Sequence, residues 1–292
     1  MKAVALNISA WMLLPVMDGM AKHLSTEIHF LQVVWGRYFF MVIISLPLTY
    51  FFFYNHLKFP KNIWIQLIRS SFLFLSTVFF FFSISIISLA EALSLMFVAP
   101  IIVTLLSALI LKEQVGIRRW CAVIFGFIGA LIIIRPGFEE INIASIAALG
   151  AGLSYGFYII STRKLSFIDS PLLTLIFTGL SGAIFVSFIV PFFWTSLDPI
   201  QWLLLIALAA VGTLGHLLLI LSLNFAEASK LAPLGYFEIV TNVIIGYYFF
   251  GDFPNKWIWL GLVFIISSGI YIFVRERTKK RKVLQSPPFI KI

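Results

Sequence analysis

Residues 231–250 of the chain, LAPLGYFEIVTNVIIGYYFF, place a single carboxylate, Glu238, inside an apolar run long enough to form a buried helix. Such a helix belongs either to a soluble core or to a membrane, and the composition decides between these two environments. The 292 residues are 61% hydrophobic and only 11% charged, whereas soluble domains carry about 25% charged residues. We therefore expect the chain to lie in a lipid bilayer.

Ten apolar segments follow one another along the chain, and most have the length of about 20 residues that crosses the hydrocarbon core. Short polar stretches with proline, glycine and charges separate them. Runs such as SFLFLSTVFFFF at 71–82 lack the alternation of transmembrane β-strands. The sequence thus predicts an all-α membrane protein with ten transmembrane helices, at 3–21, 30–53, 63–87, 89–111, 119–134, 142–162, 171–193, 199–224, 230–250 and 256–274.

Basic residues indicate how these helices are oriented. With the N terminus inside, 16 of the 21 Lys and Arg residues fall in cytoplasmic segments and three in outer segments, while Arg37 and Arg69 lie within predicted helices. Cytoplasmic loops of membrane proteins carry such an excess. Seven of the basic residues crowd into the C-terminal tail, where topology and attraction to anionic lipids explain them better than nucleic acid does. We therefore expect both termini to be cytoplasmic.

The two halves of the chain resemble each other. When the second half is aligned with the first, Tyr236 falls on Phe97, and STRKLS at 161–166 falls on MAKHLS at 20–25. Because each half has an odd number of predicted helices, five, the halves enter the membrane from opposite sides, as do the inverted repeats of secondary transporters. The predicted divisions are 1–136 and 137–275 for the two five-helix repeats and 276–292 for a basic cytoplasmic tail.

Three stretches carry a resemblance to a known family: AEALSLMFVAPIIVTLLSALILKEQ at 90–114, GFIGALIIIRP at 126–136 and ASKLAPLGYFEIVTNVIIGYYFFGDFP at 228–254. With them, the chain resembles the EamA-type ten-helix carriers of the drug/metabolite transporter superfamily. The resemblance implies alternating access without ATP or a prosthetic group, and a homodimer contact at the fifth helix of each half. Many relatives have proline directly after the glutamate, whereas this chain has Ile239, which leaves a helix break there open.

The resemblance predicts a secondary active transporter, not an enzyme, in a bacterial-type inner membrane. The Y-F-E pattern at 236–238 is similar to that of S-adenosylmethionine carriers, and amino-acid exporters share much of it, so an amine-bearing metabolite is the expected substrate. Two alternatives stay open: an exporter of other metabolites or drugs, and a membrane assembly protein that transports nothing. The four histidines and one cysteine show no spacing typical of a catalytic or metal site.

Ionisable groups within the predicted helices are candidate site residues, because each costs about 2.5–3.5 kcal/mol at the bilayer centre. Glu238 is the strongest candidate, since it lies too deep to reach the headgroups, and its expected partner is a substrate ammonium, a coupling proton or a structural arginine. Asp18 and Arg37, near the ends of two helices joined by a short loop, are expected to form an ion pair, a gate or a substrate contact. Arg69 is expected to extend to the inner headgroups.

Aromatic residues inside the predicted helices are expected either to pack in the core or against lipid, or to form the wall of a substrate cavity. In such a wall, a cation–π contact is worth up to about 2 kcal/mol. His216 is expected to be a packed neutral imidazole rather than a proton relay. The expected partners of the chain are a small-molecule substrate and the lipid bilayer, with either proton coupling or substrate exchange. The further candidate substrate-binding residues are Trp11, Tyr155, Tyr158, Tyr236 and Asn242.

Overall fold

A computed structural model of the chain describes residues 2–52, 60–87, 89–134 and 143–250, together with residues 256, 257, 259–261, 263, 264, 267 and 271. Every regular element in this part of the chain is a helix. The α-helices are α1 (Lys2–Leu24), α2 (Phe30–Phe52), α3 (Ile63–Ile84), α4 (Leu89–Met96), α5 (Ala99–Leu109), α6 (Ile117–Ile134), α7 (Ile143–Leu165), α8 (Pro171–Ser187), α9 (Pro199–Phe225), α10 (Ala228–Leu231) and α11 (Glu238–Phe250). Two 3₁₀ helices, Val190–Phe193 and Ala232–Phe237, follow α8 and α10.

Five of these helices, α1, α2, α3, α7 and α9, are long and apolar enough to cross a membrane. The polar residues between the apolar runs fix where several of them begin. Asn62 accepts a hydrogen bond from the amide of Ile65 at the start of α3, and Asp198 and Gln201 form a reciprocal capping box at the start of α9. Together with the shorter apolar helices, these spans indicate a multi-pass membrane protein whose regular elements, in the described residues, are all helices.

The long helices pack in two corresponding arrangements. Helix α1 packs most extensively against α9 and also contacts α11, whereas α7 packs most extensively against α3 and also contacts α5. Helices α2 and α8 contact each other. Gly212 and Gly215 of α9 lie directly against the side chains of Met17 and Leu14 in α1. Because glycine has no side chain there, the two helices approach closely, as small residues allow in membranes.

The fourth predicted helix, 89–111, is split into α4 and α5, whereas a continuous helix was expected. A turn at Phe97 and Val98 separates the two parts, and α5 begins at Ala99 with Pro100 in its first turn. Proline lacks an amide hydrogen and clashes with the preceding turn, so it is tolerated at a helix start and not in a helix interior. Pro100 therefore accounts for the break.

The ninth predicted helix, 230–250, is also broken, and Glu238 begins α11 instead of lying within one continuous helix. Helix α10 leads into the 3₁₀ helix Ala232–Phe237, and α-helical geometry resumes at Glu238. The break forms although Ile239 follows the glutamate, so a proline at that position is not required. Because Glu238 aligns with Ala99 when the two halves are compared, α5 and α11 begin at corresponding positions of the repeat.

Several predictions concern residues that the structure does not describe. The tenth predicted helix, 256–274, lies largely outside the described residues, and the positions of it that are described are helical. The segments 53–59 and 135–142 and the tail 276–292 lie outside the described residues entirely. The candidate site is built from the helices that the structure describes, α1 to α11.

Candidate functional site

A small cavity, called here the central cavity, lies among α1, α2, α3, α4, α7, α9 and α11. Its volume is about 30 Å³, which holds about two water molecules, whereas ligand pockets usually measure about 300–1,000 Å³. A metabolite therefore enters this cavity only after the surrounding helices move apart. Its polar and aromatic lining residues are Trp11, Asp18, Arg37, Ser76, Thr77, Phe80, Tyr155, His216 and Glu238.

Two carboxyl groups of the central cavity, those of Asp18 and Glu238, lack a hydrogen-bonding partner. Their residues are only 4% and 6% exposed, and in the part of the chain that the structure describes neither carboxyl group makes a hydrogen bond or ion pair. Asn242 donates to the main-chain carbonyl of Glu238, not to its carboxyl group. Buried carboxylates are costly unless a cation or proton neutralises them. The pair therefore favours the entry of a cation or proton into the cavity.

Arg37 lines the same cavity but does not form the expected direct ion pair with Asp18. Its guanidinium donates instead to the Thr77 hydroxyl at 2.7 Å and lies 2.6 Å from Nε2 of His216. Because arginine has no acceptor, Nε2 of His216 must accept, which makes this imidazole neutral with its hydrogen on Nδ1. The hydroxyl of Tyr158 lies 3.4 Å from that Nδ1. Arg37 is thus held by neutral groups and keeps its full positive charge in the cavity.

Trp11 and Tyr155 form one aromatic side of the central cavity, which Phe80 also lines. Their ring centroids are 5.9 Å apart, and the indole N–H of Trp11 donates to the side-chain oxygen of Asn7 at 2.9 Å. The amide of Asn7 in turn donates to the Ser222 hydroxyl of α9 at 3.0 Å. This chain of hydrogen bonds ties α1 to α9 and fixes the orientation of the indole ring beside the two carboxyl groups.

A second small cavity, called here the lower cavity, adjoins the central one. Trp11 and Tyr155 line both of them, and the lower cavity also has a volume of about 30 Å³. Its wall continues to Leu223 at the end of α9 and to Ala228 at the start of α10. The two cavities therefore lie in succession along the bundle, from the unpaired carboxyl groups to the junction of α9 and α10.

Three predicted site residues lie close to the cavities without lining them. Tyr158 is fully buried beneath the guanidinium of Arg69, which lies 4.6 Å from its ring centroid. Tyr236 is fully buried and packs edge-on against Phe97, with ring centroids 5.4 Å apart. Asn242 is buried one turn beyond Glu238. A substrate would meet these side chains only if the helices around the cavity were displaced.

Arg69 does not extend to the headgroups, contrary to the prediction. It is completely buried between α3, α7 and α8. Its guanidinium donates to the hydroxyls of Thr162 and Thr178 and to the main-chain carbonyl of Thr174. These partners belong to the other half of the chain, so no local pattern could reveal them, and they make Arg69 a structural cation.

No contact of His216 or Asn7 in the site was predicted. His216 lies 179 residues from Arg37 in the chain, and Asn7 lies 215 residues from Ser222. The only local signal was that each is a polar residue inside an apolar helix, which is also the signal of Glu238. The described residues contain no group of three or more His, Cys, Asp or Glu side chains that could hold a metal ion.

Comparisons with known proteins identify a family and several relatives of this chain. The model of the EamA-like transporter family matches twice, over residues 3–135 and 142–274. The S-adenosylmethionine uptake transporter of Rickettsia bellii (strain RML369-C) is 27% identical over 265 residues, which cover 91% of each chain. That of Rickettsia prowazekii (strain Madrid E) is 26% identical and covers 93% of this chain and 94% of its own. The riboflavin transporter of Vibrio cholerae serotype O1 is 31% identical over 66% of this chain and 65% of its own.

A solved structure supports the same fold. One chain, described only as "Crystal structure of protein", superposes with a TM-score of 0.76 and covers 97% of this chain and 99% of its own, at 17% sequence identity. That likeness concerns the fold alone. The two family matches together span nearly all of the sequence, and they confirm the resemblance inferred from the fourth and ninth predicted helices. The chain therefore belongs to the EamA-like transporter family.

Proposed function

We propose that the protein is a secondary active transporter of a small, amine-bearing metabolite and works by alternating access in a bacterial inner membrane. The observation that carries this proposal is the pair of unpaired, buried carboxyl groups of Asp18 and Glu238 in one cavity. Buried charges in membrane proteins mark substrate and ion pathways. A cationic group of the substrate supplies the positive charge that Arg37 alone does not provide for both carboxyl groups.

The charges of the central cavity also indicate the substrate class. Two acidic groups face one permanent cation, Arg37, so the ionised site has one excess negative charge. A molecule with two positive groups and one carboxylate matches this set, because its carboxylate pairs with Arg37 and its cations pair with Asp18 and Glu238. S-adenosylmethionine, which the Rickettsia relatives are named for, carries an ammonium, a sulfonium and a carboxylate. Trp11 and Tyr155 offer the aromatic faces that bind such cations.

The proposed architecture is ten transmembrane helices in two inverted five-helix repeats, with both termini in the cytoplasm. Two pairs of residues that align between the halves touch each other: Phe97 contacts Tyr236, and Phe125 stacks on Phe264 with ring centroids 4.6 Å apart. Equivalent residues of two repeats meet in this way only near the axis that relates them. The broken helices at α4–α5 and α10–α11 match the discontinuous helices that form substrate sites in such carriers.

The same carboxyl groups provide a basis for coupling. After a cationic substrate leaves, Asp18 and Glu238 again lack a neutralising partner, and an uncompensated carboxylate resists burial in the closed cavity. The return step therefore requires a proton or a second cationic substrate in its place. We propose that either proton coupling or substrate exchange works on this basis.

Counterflow into vesicles tests the proposal. Purified protein is reconstituted without ATP, loaded with one unlabelled metabolite, and supplied outside with the labelled compound, across a panel of S-adenosylmethionine, amino acids and riboflavin. We expect counterflow of a cationic member and its loss in Glu238→Gln, whereas Glu27→Gln, an exposed control, should keep it. Absence of counterflow across the panel would instead favour the alternatives of a different exported substrate or a non-transporting assembly protein.

A further inference from the structure

A cluster of charged side chains closes the end of the bundle beyond the lower cavity. It joins the segment after α5 to the end of α7 and to the junction of α9 and α10, so it connects the two halves of the chain. We call this cluster the latch. Its residues are Glu113, Arg119, Arg163, Glu227, Ser229 and Lys230.

Glu113 is the centre of the latch. Its carboxylate accepts the main-chain amides of Ala228 and Ser229, each at 3.0 Å, and the Ser229 hydroxyl at 2.7 Å. Helix starts present unpaired amides and a partial positive charge, so a carboxylate fits them well. Nε of Arg163 adds an ion pair at 3.7 Å, which is longer than a hydrogen bond. Glu113 therefore fixes the start of α10, the first part of the broken helix that leads to Glu238.

A second set of contacts supports the same junction. Arg119 donates to Glu227 at 2.8 Å and to the Ser229 hydroxyl at 2.9 Å, and Lys230 donates to Glu227 at 2.6 Å. Partial burial alone would raise the pKa of Glu227, but its hydrogen bonds and charge contacts with Lys230 and Arg119 hold that pKa below its usual value. Glu227 thus stays ionised at neutral pH, and its pairing weakens only as the pH falls through that lowered pKa.

The backbone of the connecting segment is strained. Lys112 has a φ of 55°, the one positive value for a residue other than glycine in the described part of the chain. The turn that it makes brings the amide of Glu113 to the carbonyl of Ser107 at 3.1 Å. A residue with a side chain keeps such a conformation only where surrounding contacts hold it. The next residue, Glu113, is held by its contacts with α10.

The latch is hydrogen-bonded to two residues that line the lower cavity. Arg163 donates to the carbonyl of Leu223, and Glu113 accepts from the amide of Ala228, and both Leu223 and Ala228 line that cavity. The other end of the bundle has a comparable contact at corresponding positions of the first half. There Lys22, which aligns with Arg163, donates to the carbonyl of Ile84, which aligns with Leu223, and also to that of Ile87.

We propose that the latch is the inner gate of the transport path and that Glu113 holds this gate shut. The assignment of the latch to the cytoplasmic face rests on the proposed topology. When the Glu113 contacts break, the start of α10 is released from the segment after α5, and the lower cavity opens to the cytoplasm. The cationic substrate at Glu238 then leaves, or enters, past Trp11 and Tyr155.

Cysteine accessibility tests the gate without requiring a known substrate. In a Cys121→Ser background, Leu219→Cys places one thiol in the wall of the lower cavity. A membrane-impermeant maleimide is applied to the cytoplasmic face of inverted vesicles and, separately, to the outer face of right-side-out vesicles. Glu113→Gln should raise the labelling rate from the cytoplasmic face on the order of tenfold, because a neutral amide replaces the charge-assisted hydrogen bonds.

Two further variants keep the result decisive. Arg163→Gln leaves the contacts of Glu113 with α10 in place and should raise the rate less than Glu113→Gln does. Lys164→Gln removes the neighbouring exposed charge and should leave the rate unchanged. An unaltered rate in both latch variants overturns the gate, and a rise only from the outer face overturns its cytoplasmic assignment. Because labelling does not depend on transport, either result is separate from a failure of the proposed substrate.

Discussion

The two helix breaks of this molecule lie at corresponding positions of the two halves, but their surroundings differ. At the first break, α7 lies directly on the backbone: a side-chain carbon at Gly152 would approach the carbonyl oxygen of Met96 to 2.6 Å. At the second break, Gly235 faces the ring of Trp11. A side-chain carbon added at Gly235 would lie 3.5 Å from the nearest atom of that ring. Trp11 and Gly152 themselves align with each other, and so occupy corresponding positions in α1 and α7.

The two breaks also differ in the side chain that they carry at corresponding positions. The first carries Ala99 where the second carries Glu238, and only Glu238 faces the central cavity together with Asp18 and Arg37. The repeated scaffold thus provides two similar backbone interruptions that both border the cavities, but only the second places a carboxyl group in the central cavity. Substrate recognition depends on the departures from symmetry, and four experiments test that difference.

Moving the carboxylate from the second break to the first should have the largest effect. We expect Glu238→Ala to lower transport by about a hundredfold, from the loss of a charged contact with the substrate. Adding Ala99→Glu in the same chain should not restore it, because position 99 lines the lower cavity, away from Asp18 and Arg37. Counterflow in vesicles measures both variants. Recovery of transport in the double variant would show that the two breaks are interchangeable.

Adding a side-chain carbon at Gly152, which packs against the first break, should reduce stability. Gly152→Ala forces a methyl group against the carbonyl of Met96, a backbone atom that cannot turn away, and overpacking of this kind costs about 1–3 kcal/mol. The measurement is the thermal unfolding midpoint of the purified protein in detergent. Gly116→Ala, where an added carbon meets nothing within 4 Å, is the matched control. Equal midpoints for the two variants would mean that α7 does not pack tightly on the first break.

Removing the aromatic wall at the second break should have the smallest effect. Trp11→Leu keeps an apolar side chain but loses the cation–π contact, so we expect the substrate to bind about three- to tenfold more weakly. Trp64→Leu removes a tryptophan that is 71% exposed and should leave binding unchanged. The concentration dependence of counterflow gives both affinities. A Trp11 variant with wild-type affinity would assign the recognition of the cation to the carboxyl groups alone.

Much of this fold could be predicted from the sequence, because hydropathy is a local property. Helix α9, for example, was expected at 199–224 and is observed at Pro199–Phe225. Hydropathy did not reveal the breaks, since their segments remain apolar throughout. Pro100 was the sequence signal of the first break, and the second forms without a proline after Glu238. The burial of Arg69 was missed because its threonine partners belong to α7 and α8, and only the packing of those helices brings them to it.

The candidate site was predicted in part for a related reason. A charge inside an apolar run is visible in sequence, so Asp18, Arg37 and Glu238 were identified, and the fold brings them to one cavity. Their pairing was not visible, because whether Arg37 meets Asp18 or His216 depends on how α1, α2 and α9 are rotated about their axes. The sequence therefore identified the charged groups, and the packing decides which of them remain unpaired.

Ligand-induced stabilisation of purified protein tests the central claim most directly. S-methylmethionine has two cationic groups and a carboxylate, and methionine lacks only the sulfonium methyl group and its charge. We expect S-methylmethionine to raise the unfolding midpoint of the wild type more than methionine does, and this difference to vanish in both Asp18→Asn and Glu238→Gln. Equal stabilisation by the two compounds, or a difference that persists in both variants, would contradict the claim that Asp18 and Glu238 form the cation site.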